Sequence, residues 1–195
     1  MASLKRLSLF EKIAALRQKD LILVLEDIHD PHNAAAILRT CDALGIQTVY
    51  FIFESEKPYN PKRVGKASSS SANKWLDFTI FHSTKECIGK LKKDGYIIVA
   101  TALTPEAQNI FDTKLIDAKL ALIVGNEHDG LSDYAIKQAD LSIMIPMLGF
   151  VQSLNVSVAT ALILGEIIKK RNNSDKDFHL TQKEQKVLIK SFQNR

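Results

Sequence analysis

The sequence contains no apolar run of membrane-spanning length, and only two of its 195 residues are cysteines. The first absence argues against a membrane-spanning helix. The opening stretch MASLKRLSLFEKIAAL lacks the uninterrupted apolar core and the cleavage site of a signal peptide, so we expect a cytoplasmic protein with no membrane partner. Cys41 and Cys87 lack the spacing of metal ligands, and we interpret both as reduced structural residues, not nucleophiles.

The common nucleotide-binding loops are also missing. The chain has neither a Walker phosphate loop nor a G-x-G-x-x-G pattern, and it has no internal repeat. Its 46% hydrophobic content and its length fit one medium α/β domain with a sizeable core. Any ligand must therefore be held by a different kind of loop.

Positive charge is concentrated at both ends of the chain and in one loop. Residues 1–19 contain five Lys or Arg and one acid, and residues 166–195 contain eight Lys or Arg and four acids. The whole chain has a net charge of only +4. Residues 57–74 contain five Lys or Arg and no acid. This distribution indicates a polyanionic partner, most simply nucleic acid. The alternative is a set of solvated lysines with no partner.

Helical and strand-like segments alternate along the chain. Residues 4–19 have apolar positions at helical spacing. Strands are predicted for LILVLE, TVYFIF, YIIVAT, LALIVG and LSIMI, with helical patterns between them. The alternation predicts βαβ units, and hence a mostly parallel sheet flanked by helices. Capping boxes are predicted at Ser83/Glu86 and Thr181/Glu184, and Ser132 is predicted to cap a short helix.

Irregular polar loops follow four of the predicted strands. They are DIHDPHN (27–33), TALTP (101–105), GNEHDGLS (125–132) and PMLGFVQSLN (146–155). In parallel α/β sheets ligands bind beyond the carboxyl ends of the strands, so these loops predict a pocket. In the last loop, Pro146 fixes its own φ and Gly149 permits a tight turn or a close backbone approach.

The polar residues of these loops also have ordinary structural explanations. Asn33 and Asn155 stand where helices begin and can be N-caps, and Glu127 can be a solvated acid. Arg39 lies roughly opposite Ile37 on an amphipathic helix and can be a solvated charge. His29, Asp30 and His32 are of the residue types that bind metals, but they lie in a turn around Pro31 and do not form a well-spaced set of three ligands. We therefore predict no metal site.

Three long motifs carry a family resemblance. DIHDPHNAAAILRTCDALG, IVGNEHDGLS and IPMLGFVQSLNVSVATALIL resemble, in order and spacing, the motifs of the SpoU branch of the SPOUT RNA methyltransferases. Within that branch, PHN, RTCDA and PMLGFVQSLNVSVA are most similar to the TrmH-type tRNA (guanosine-2'-O-)-methyltransferases. The loop GKASSSSANKW departs from the pattern, because relatives often have a glycine among the serines.

The resemblance implies a fold, a cofactor and a substrate. The fold would be α/β with a deep C-terminal trefoil knot over residues 120–165, in a methyltransferase domain of residues 20–171. Residues 1–19 and 172–195 would be basic helical extensions. S-adenosylmethionine would methylate the ribose 2'-oxygen of a guanosine in the tRNA D-loop, without a metal, in a homodimer built on the apolar helix 156–168. Open alternatives are ribosomal RNA, another tRNA position, or a knotted RNA-binding protein without catalysis.

The resemblance also assigns roles to residues. Those with catalytic roles would be Arg39, Asn33, Glu127, Ser153 and Asn155. Those that bind the cofactor would be Thr101, Ala102, Leu103, Gly125, Asn126, Glu127, Ile145, Met147, Leu148, Ser153 and Leu154. Those that bind RNA, chosen with the help of the charge pattern, would be Lys5, Arg6, Arg39, Lys62, Arg63, Lys66, Lys169, Lys170 and Arg171. The family's essential arginine corresponds to Arg39; since a guanidinium stays protonated, it can clamp a phosphate and orient the hydroxyl instead of acting as the base.

Overall fold

A computed structural model describes residues 3–64, 72–117 and 119–195. Lys66, one of the predicted RNA-binding residues, lies outside the described residues. In the described part of the chain, the seven strands of one sheet are β1 Leu21–Glu26, β2 Thr48–Ile52, β3 Asp77–Phe81, β4 Ile97–Thr101, β5 Gln108–Asn109, β6 Leu120–Val124 and β7 Leu141–Met144. All neighbouring strands are parallel, in the order β3-β2-β1-β6-β4-β7-β5. The predicted mostly parallel sheet is thereby confirmed.

Six α-helices occur in the same described ranges and cover both faces of the sheet. They are α1 Leu4–Ala15, α2 Pro31–Ala43, α3 Thr84–Lys93, α4 Asp133–Gln138, α5 Val156–Asn172 and α6 Gln182–Gln193. Helices α2 and α5 contribute to the apolar core on one face, and α3 and α4 contribute to the core on the other. Every residue of β1 is buried, as expected for a central parallel strand covered on both sides.

The strand register brings the polar loops to one edge of the sheet. Leu25 lies opposite Phe51 on β2 and Val124 on β6, so β1, β2 and β6 end side by side. Thr101, the last residue of β4, pairs with Ile143 of β7. The segments that follow β1, β4, β6 and β7 therefore share the carboxyl edge, where a pocket was predicted.

Local capping residues explain where most of the helices begin. The Asp30 side chain accepts a hydrogen bond from the His32 N–H and caps α2, which begins with Pro31. The predicted cap by Ser132 and the predicted Thr181/Glu184 capping box are confirmed. The predicted Ser83/Glu86 capping box is wrong, because Ser83 occupies the N-cap position without a side-chain hydrogen bond to the helix.

Two strands, β3 and β5, were not predicted from the sequence pattern. Strand β3 lies at one end of the sheet order and is only partly buried, so it lacks a long apolar run. Strand β5 has only two residues. Both result from tertiary pairing that a short polar segment does not signal by itself.

The two chain ends pack against each other. Phe10 and Ala14 of α1 form a buried apolar cluster with Leu188 and Phe192 of α6. Helix α1 ends at Ala15, before the predicted position 19, because Arg17 to Lys19 pair with residues 178–180 through backbone hydrogen bonds. The terminal segments therefore form one structural unit on the flank of the sheet.

Both cysteines are buried free thiols. Burial raises the pKa of Cys41, and it raises the pKa of Cys87 to about 12. Neither thiol ionises near neutral pH, which agrees with the structural roles predicted for them. None of the described helices is long and apolar enough to cross a membrane.

Candidate active site

A pocket of about 640 Å³ opens at the carboxyl edge of the sheet. It is formed by the segments after β4, β6 and β7 and by the first turns of α5. The predicted cofactor-binding residues that line it are Thr101, Ala102, Leu103, Gly125, Asn126, Glu127, Ile145, Met147, Ser153 and Leu154. Leu148 is the exception, because it does not line the pocket and the residue is 99% exposed.

The 125–131 segment is a tightly closed loop. Asn126 and Gly130 exchange two backbone hydrogen bonds of 2.9 and 3.0 Å. The Asn126 side chain donates to the carbonyl of Asp27 at 2.7 Å and accepts from the His128 N–H at 2.8 Å. A Cβ atom added to Gly125 would lie 2.3 Å from the Gly130 backbone. Only glycine fits at position 125, so one wall of the pocket is firmly shaped.

A hydrogen-bonded chain of three side chains joins three of the four polar loops, at residues 27–33, 125–132 and 146–155. The Glu127 carboxylate accepts from the backbone N–H groups of His29 at 2.9 Å and Asp30 at 3.2 Å. It also accepts from Asn33 Nδ2 at 2.8 Å. Asn33 Oδ1 in turn accepts from Asn155 Nδ2 at 3.1 Å. The structure thus brings together three of the residues to which the family resemblance assigned catalytic roles.

Glu127 is held in its charged form. Partial burial opposes its ionisation, but the hydrogen bonds from Asn33 and from the backbone N–H groups outweigh that effect and lower its pKa below the usual value. At neutral pH the carboxylate therefore accepts hydrogen bonds and does not supply a proton. Its position fixes which way the Asn33 amide faces, because the Nδ2 group must donate to it.

The two asparagines differ in their relation to helix starts. The Asn155 side chain accepts hydrogen bonds from the N–H and the hydroxyl of Ser157, at 2.9 and 2.6 Å, and caps α5. Its capping role therefore coexists with its contact to Asn33. The suggestion that Asn33 is itself an N-cap is wrong, since Asp30 holds that position.

Arg39 lies on α2, two turns after Asn33, and its side chain is exposed. Its neighbours Ile37, Leu38 and Cys41 are buried in the core. In the described part of the chain, neither a hydrogen bond nor an ion pair occupies the guanidinium. This cation is therefore available to a phosphate or a ribose that approaches along α2.

The predicted RNA-binding residues fall into two groups. Lys5, Arg6, Lys62 and Arg63 are exposed, and so is Lys169, with 67% of its side chain accessible. Two corrections concern the end of α5. Lys170 Nζ donates to the carbonyls of Ile110, Phe111 and Thr113, at 2.6, 3.1 and 2.8 Å, which leaves it no free donor. Arg171 is buried, so it cannot contact RNA.

Arg171 instead joins three parts of the chain. It donates to the carbonyls of Lys19 and Asp117, at 3.0 and 3.2 Å, and its Cζ lies 4.5 Å from the centre of the Phe178 ring. Burial lowers its pKa to about 10, which still leaves it charged at neutral pH. The spacing Ile163, Ile167, Arg171 is a helical i+4 series and was a usable signal that Arg171 faces the core.

One residue that supports the site was missed by the sequence analysis. Asp27 has a positive φ of 49°, and its carboxylate accepts from the N–H groups of Glu54, Ser55 and Glu56. This carboxylate shapes the loop at residues 54–56, and the motif DIHD gives only a weak signal for that role.

Across residues 3–64, 72–117 and 119–195, no group of three or more His, Cys, Asp or Glu could hold a metal ion.

Comparisons with known proteins place this pocket in a family. Residues 20–165 match the model of the SpoU rRNA Methylase family. A Borreliella burgdorferi protein named tRNA (guanosine(18)-2'-O)-methyltransferase is 37% identical over 91% of this chain and 79% of its own length. A Thermus thermophilus protein of the same name is 38% identical over 83% of this chain and 80% of its own length.

Solved structures agree with the sequence relatives. The A. aeolicus TrmH/SpoU tRNA modifying enzyme has a TM-score of 0.86 and 33% identity, and the match covers 96% of this chain and 94% of that one. AviRb from Streptomyces viridochromogenes, in complex with AdoMet, has a TM-score of 0.70 and 26% identity over 84% of this chain and 62% of that one. The predicted family is confirmed: this chain belongs to the SpoU methylase family.

Proposed function

We propose that this chain transfers a methyl group from S-adenosylmethionine to the ribose 2'-oxygen of a tRNA guanosine, and that the guanosine is number 18 in the D-loop. The observation that carries the proposal is the Asn155–Asn33–Glu127 chain at the mouth of the pocket. It connects the three motifs at one point, and the exposed Arg39 lies on the same helix as Asn33. The names of the relatives supply the acceptor position.

The pocket fits the cofactor. Its volume lies in the range of small-molecule sites. Ile145, Met147 and Leu154 provide apolar surface for an adenine ring. The backbones of Gly125 and Gly130, which lie close together, add polar groups to the pocket lining. S-adenosylmethionine would supply a methyl group on a sulfonium, which an oxygen nucleophile can attack directly. The protein then needs to bind and orient both partners, and no protein-bound intermediate is required.

Arg39 and the asparagines would act on the RNA side of this reaction. S-adenosylmethionine would supply the methyl group to the 2'-oxygen and leave as S-adenosylhomocysteine, and the hydroxyl proton would pass to water or to a neighbouring phosphate. Arg39 would clamp that phosphate with its planar guanidinium and so orient the hydroxyl. Asn33 and Asn155 would hold the entrance in shape, because Glu127 fixes the network to which they belong.

A labelled-methyl assay with the full chain tests the proposal. Incubation with tritiated S-adenosylmethionine and a tRNA transcript should label the RNA, in chelator as well as without it. The same tRNA with 2'-deoxyguanosine at position 18 should take up no label, because it lacks the acceptor oxygen. Label in the deoxy tRNA, or in ribosomal RNA alone, would contradict the assigned position. Cofactor binding without any methylation would support the non-catalytic alternative.

We also propose that the segment 120–165 forms the trefoil knot implied by the family. Helix α4 lies on one face of the sheet and α5 on the other, and β7 connects them within the sheet. Strand β7 is not an outer strand, because β5 lies outside it, and residues 145–155 leave β7 at the carboxyl edge. Chain tracing in an experimental density map checks the threading.

The proposed tRNA substrate would place the protein in the cytoplasm.

We further propose that the chain forms a homodimer. Exposed apolar residues occur on the 145–155 loop, at Leu148, Phe150 and Val151, and on α5, at Val158 and Leu162. Exposed apolar residues grouped in this way are typical of an interface, and twofold dimers are the commonest oligomers. A twofold axis beside this surface would let Arg39 act on the pocket of the partner subunit.

Light scattering should therefore report twice the chain mass of 21.8 kDa at micromolar concentration. Leu162→Glu should dissociate the dimer, because it buries a charge in the interface. Val187→Glu, which changes an exposed apolar residue on α6, is the control and should leave the mass unchanged. A wild-type mass of 21.8 kDa would refute the dimer.

The proposed RNA surface consists of the exposed basic residues Lys5, Arg6, Lys62, Arg63 and Lys169. Lys169→Ala should weaken tRNA binding and reduce the slope of log K against log salt by about 0.7 to 0.9, the value of one lost phosphate contact. Lys85→Ala, on α3 across the sheet, is the control and should leave the slope unchanged. An unaltered slope for Lys169→Ala would show that this lysine faces only its ion-pair partner Glu166.

A further inference from the structure

We propose that Glu26, the last residue of β1, is a positioning residue that holds the 125–132 loop in the conformation that binds the cofactor. The inference rests on the proposed function of the pocket. Glu26 is only 2% exposed, although it carries a carboxylate, and it is not part of the pocket lining. Neither the family motifs nor the proposed chemistry gives it a role.

Two helix starts supply the hydrogen-bond partners of Glu26. Glu26 Oε2 accepts from the Ser132 N–H at 2.9 Å, and Oε1 accepts from the hydroxyls of Ser132 at 2.8 Å and Thr84 at 2.6 Å. Among the described residues no cation forms an ion pair with it. Burial of a carboxylate without a cation is unfavourable unless such donors are held in place, so the arrangement ties Glu26 to both helices.

One of these two helix starts belongs to the pocket. Ser132 directly follows the lining residues 125–131. At the other end of that loop, the Asn126 side chain donates to the carbonyl of Asp27 at 2.7 Å. The consecutive residues Glu26 and Asp27 therefore anchor both ends of the loop to the end of the central strand. A shift of the loop must break one of these anchors.

The other helix start offers a matched control. Thr84 is 3% exposed, begins α3, and is absent from the pocket lining. Thr84→Val removes one hydrogen bond of Glu26 at nearly constant volume. If Glu26 only stabilises the fold, loss of the Thr84 contact should matter in the same way as loss of the Ser132 contacts. If it positions the loop, only the Ser132 contacts should affect cofactor binding.

Calorimetry with S-adenosylhomocysteine on the full chain tests the inference. Glu26→Leu leaves the Ser132 N–H without an acceptor and should raise the Kd about tenfold, the effect of one unpaired buried donor. Glu26→Gln keeps an acceptor oxygen for that N–H, and its amide can donate to the two hydroxyls, so it should bind within about threefold of wild type. Thr84→Val should bind within about twofold. In methylation assays, Glu26→Leu should raise the KM for S-adenosylmethionine and leave kcat near wild type.

The outcomes separate this inference from the proposed function. Wild-type protein that binds no S-adenosylhomocysteine would refute the function of the pocket. Wild-type binding with an unchanged Kd for Glu26→Leu, or an equal rise for Thr84→Val, would overturn the role of Glu26. Should Glu26→Leu not fold, Ser132→Ala removes one loop contact together with the side-chain cap of α4, and it should raise the Kd about threefold or more, the effect of one lost hydrogen bond. An unchanged Kd there would equally overturn the role.

Discussion

Arg39→Ala should reduce the single-turnover methylation rate at least about a hundredfold, because loss of the group that orients the attacking hydroxyl misplaces it relative to the methyl group. Folding and cofactor binding should remain near wild type, since the side chain is exposed and lies outside the pocket lining. The rate is measured by quenching the reaction of excess enzyme with tRNA under saturating S-adenosylmethionine. Lys85→Ala, which removes a charge from α3 on the opposite sheet face, is the control and should react at the wild-type rate.

Arg39→Lys distinguishes a geometric role from a purely electrostatic one. Lysine keeps the positive charge but lacks the planar guanidinium that can bind a phosphate through two parallel hydrogen bonds. If that clamp orients the hydroxyl, lysine should restore little of the rate. Restoration of most of the rate would mean that charge near the phosphate is sufficient. A near wild-type rate for Arg39→Ala would remove Arg39 from the active site altogether.

Asn33→Asp should disrupt the polar network more than removal of the side chain would. Asn33 Nδ2 lies 2.8 Å from Glu127, so an aspartate oxygen there would face a carboxylate that is ionised at neutral pH. Two carboxylates at this distance cannot both remain charged without a large loss of stability. We expect a loss of about 2 kcal/mol or more in the free energy of unfolding at pH 7, since a hydrogen bond to a charged group becomes a repulsion. The methylation rate should fall at least about a hundredfold.

The pH dependence has a definite sign. In the wild type the pKa of Glu127 is lowered by folding, so its contribution to stability is present above its unfolded pKa and is lost as pH falls through the folded value. In Asn33→Asp the pair must retain a proton, so the variant should lose stability relative to wild type as pH rises from about 4 to about 7. Chemical denaturation across that range measures the difference. Asn60→Asp, which adds the same charge at an exposed turn and keeps the acceptor for Lys62, should show no such trend.

The alternating pattern was sufficient to predict the architecture but not all of its strands. LILVL and LALIV are continuous apolar runs, as central parallel strands require, and they pair with each other in the sheet. Strand β3 lies at the end of the sheet order and alternates with polar residues, and β5 is too short to carry a pattern. Their positions depend on partners far away in sequence.

The site was predictable as a set of residues and not as a set of contacts. Asn33 is separated from Glu127 by 94 positions and from Asn155 by 122, and no local rule relates such distant side chains. The motifs brought them together only through resemblance. The resemblance assigned Leu148 to the cofactor pocket, but this residue is exposed and absent from the pocket lining. Counting charges failed at Lys170 and Arg171, because a count does not reveal which cations bind backbone carbonyls.

The buried Arg171 has a consequence for how the chain can be shortened. Its guanidinium binds the carbonyl of Lys19, from the amino-terminal segment, and packs on the ring of Phe178, from the carboxyl-terminal segment. A chain cut at residue 172 would keep the arginine but lose the ring, and a chain begun at residue 20 would lose the carbonyl. Either truncation would leave a buried charge with fewer partners, at a point that also contacts Asp117. The basic ends are therefore parts of the folded catalytic unit, and a minimal fragment limited to the family motifs would be less stable than the whole chain.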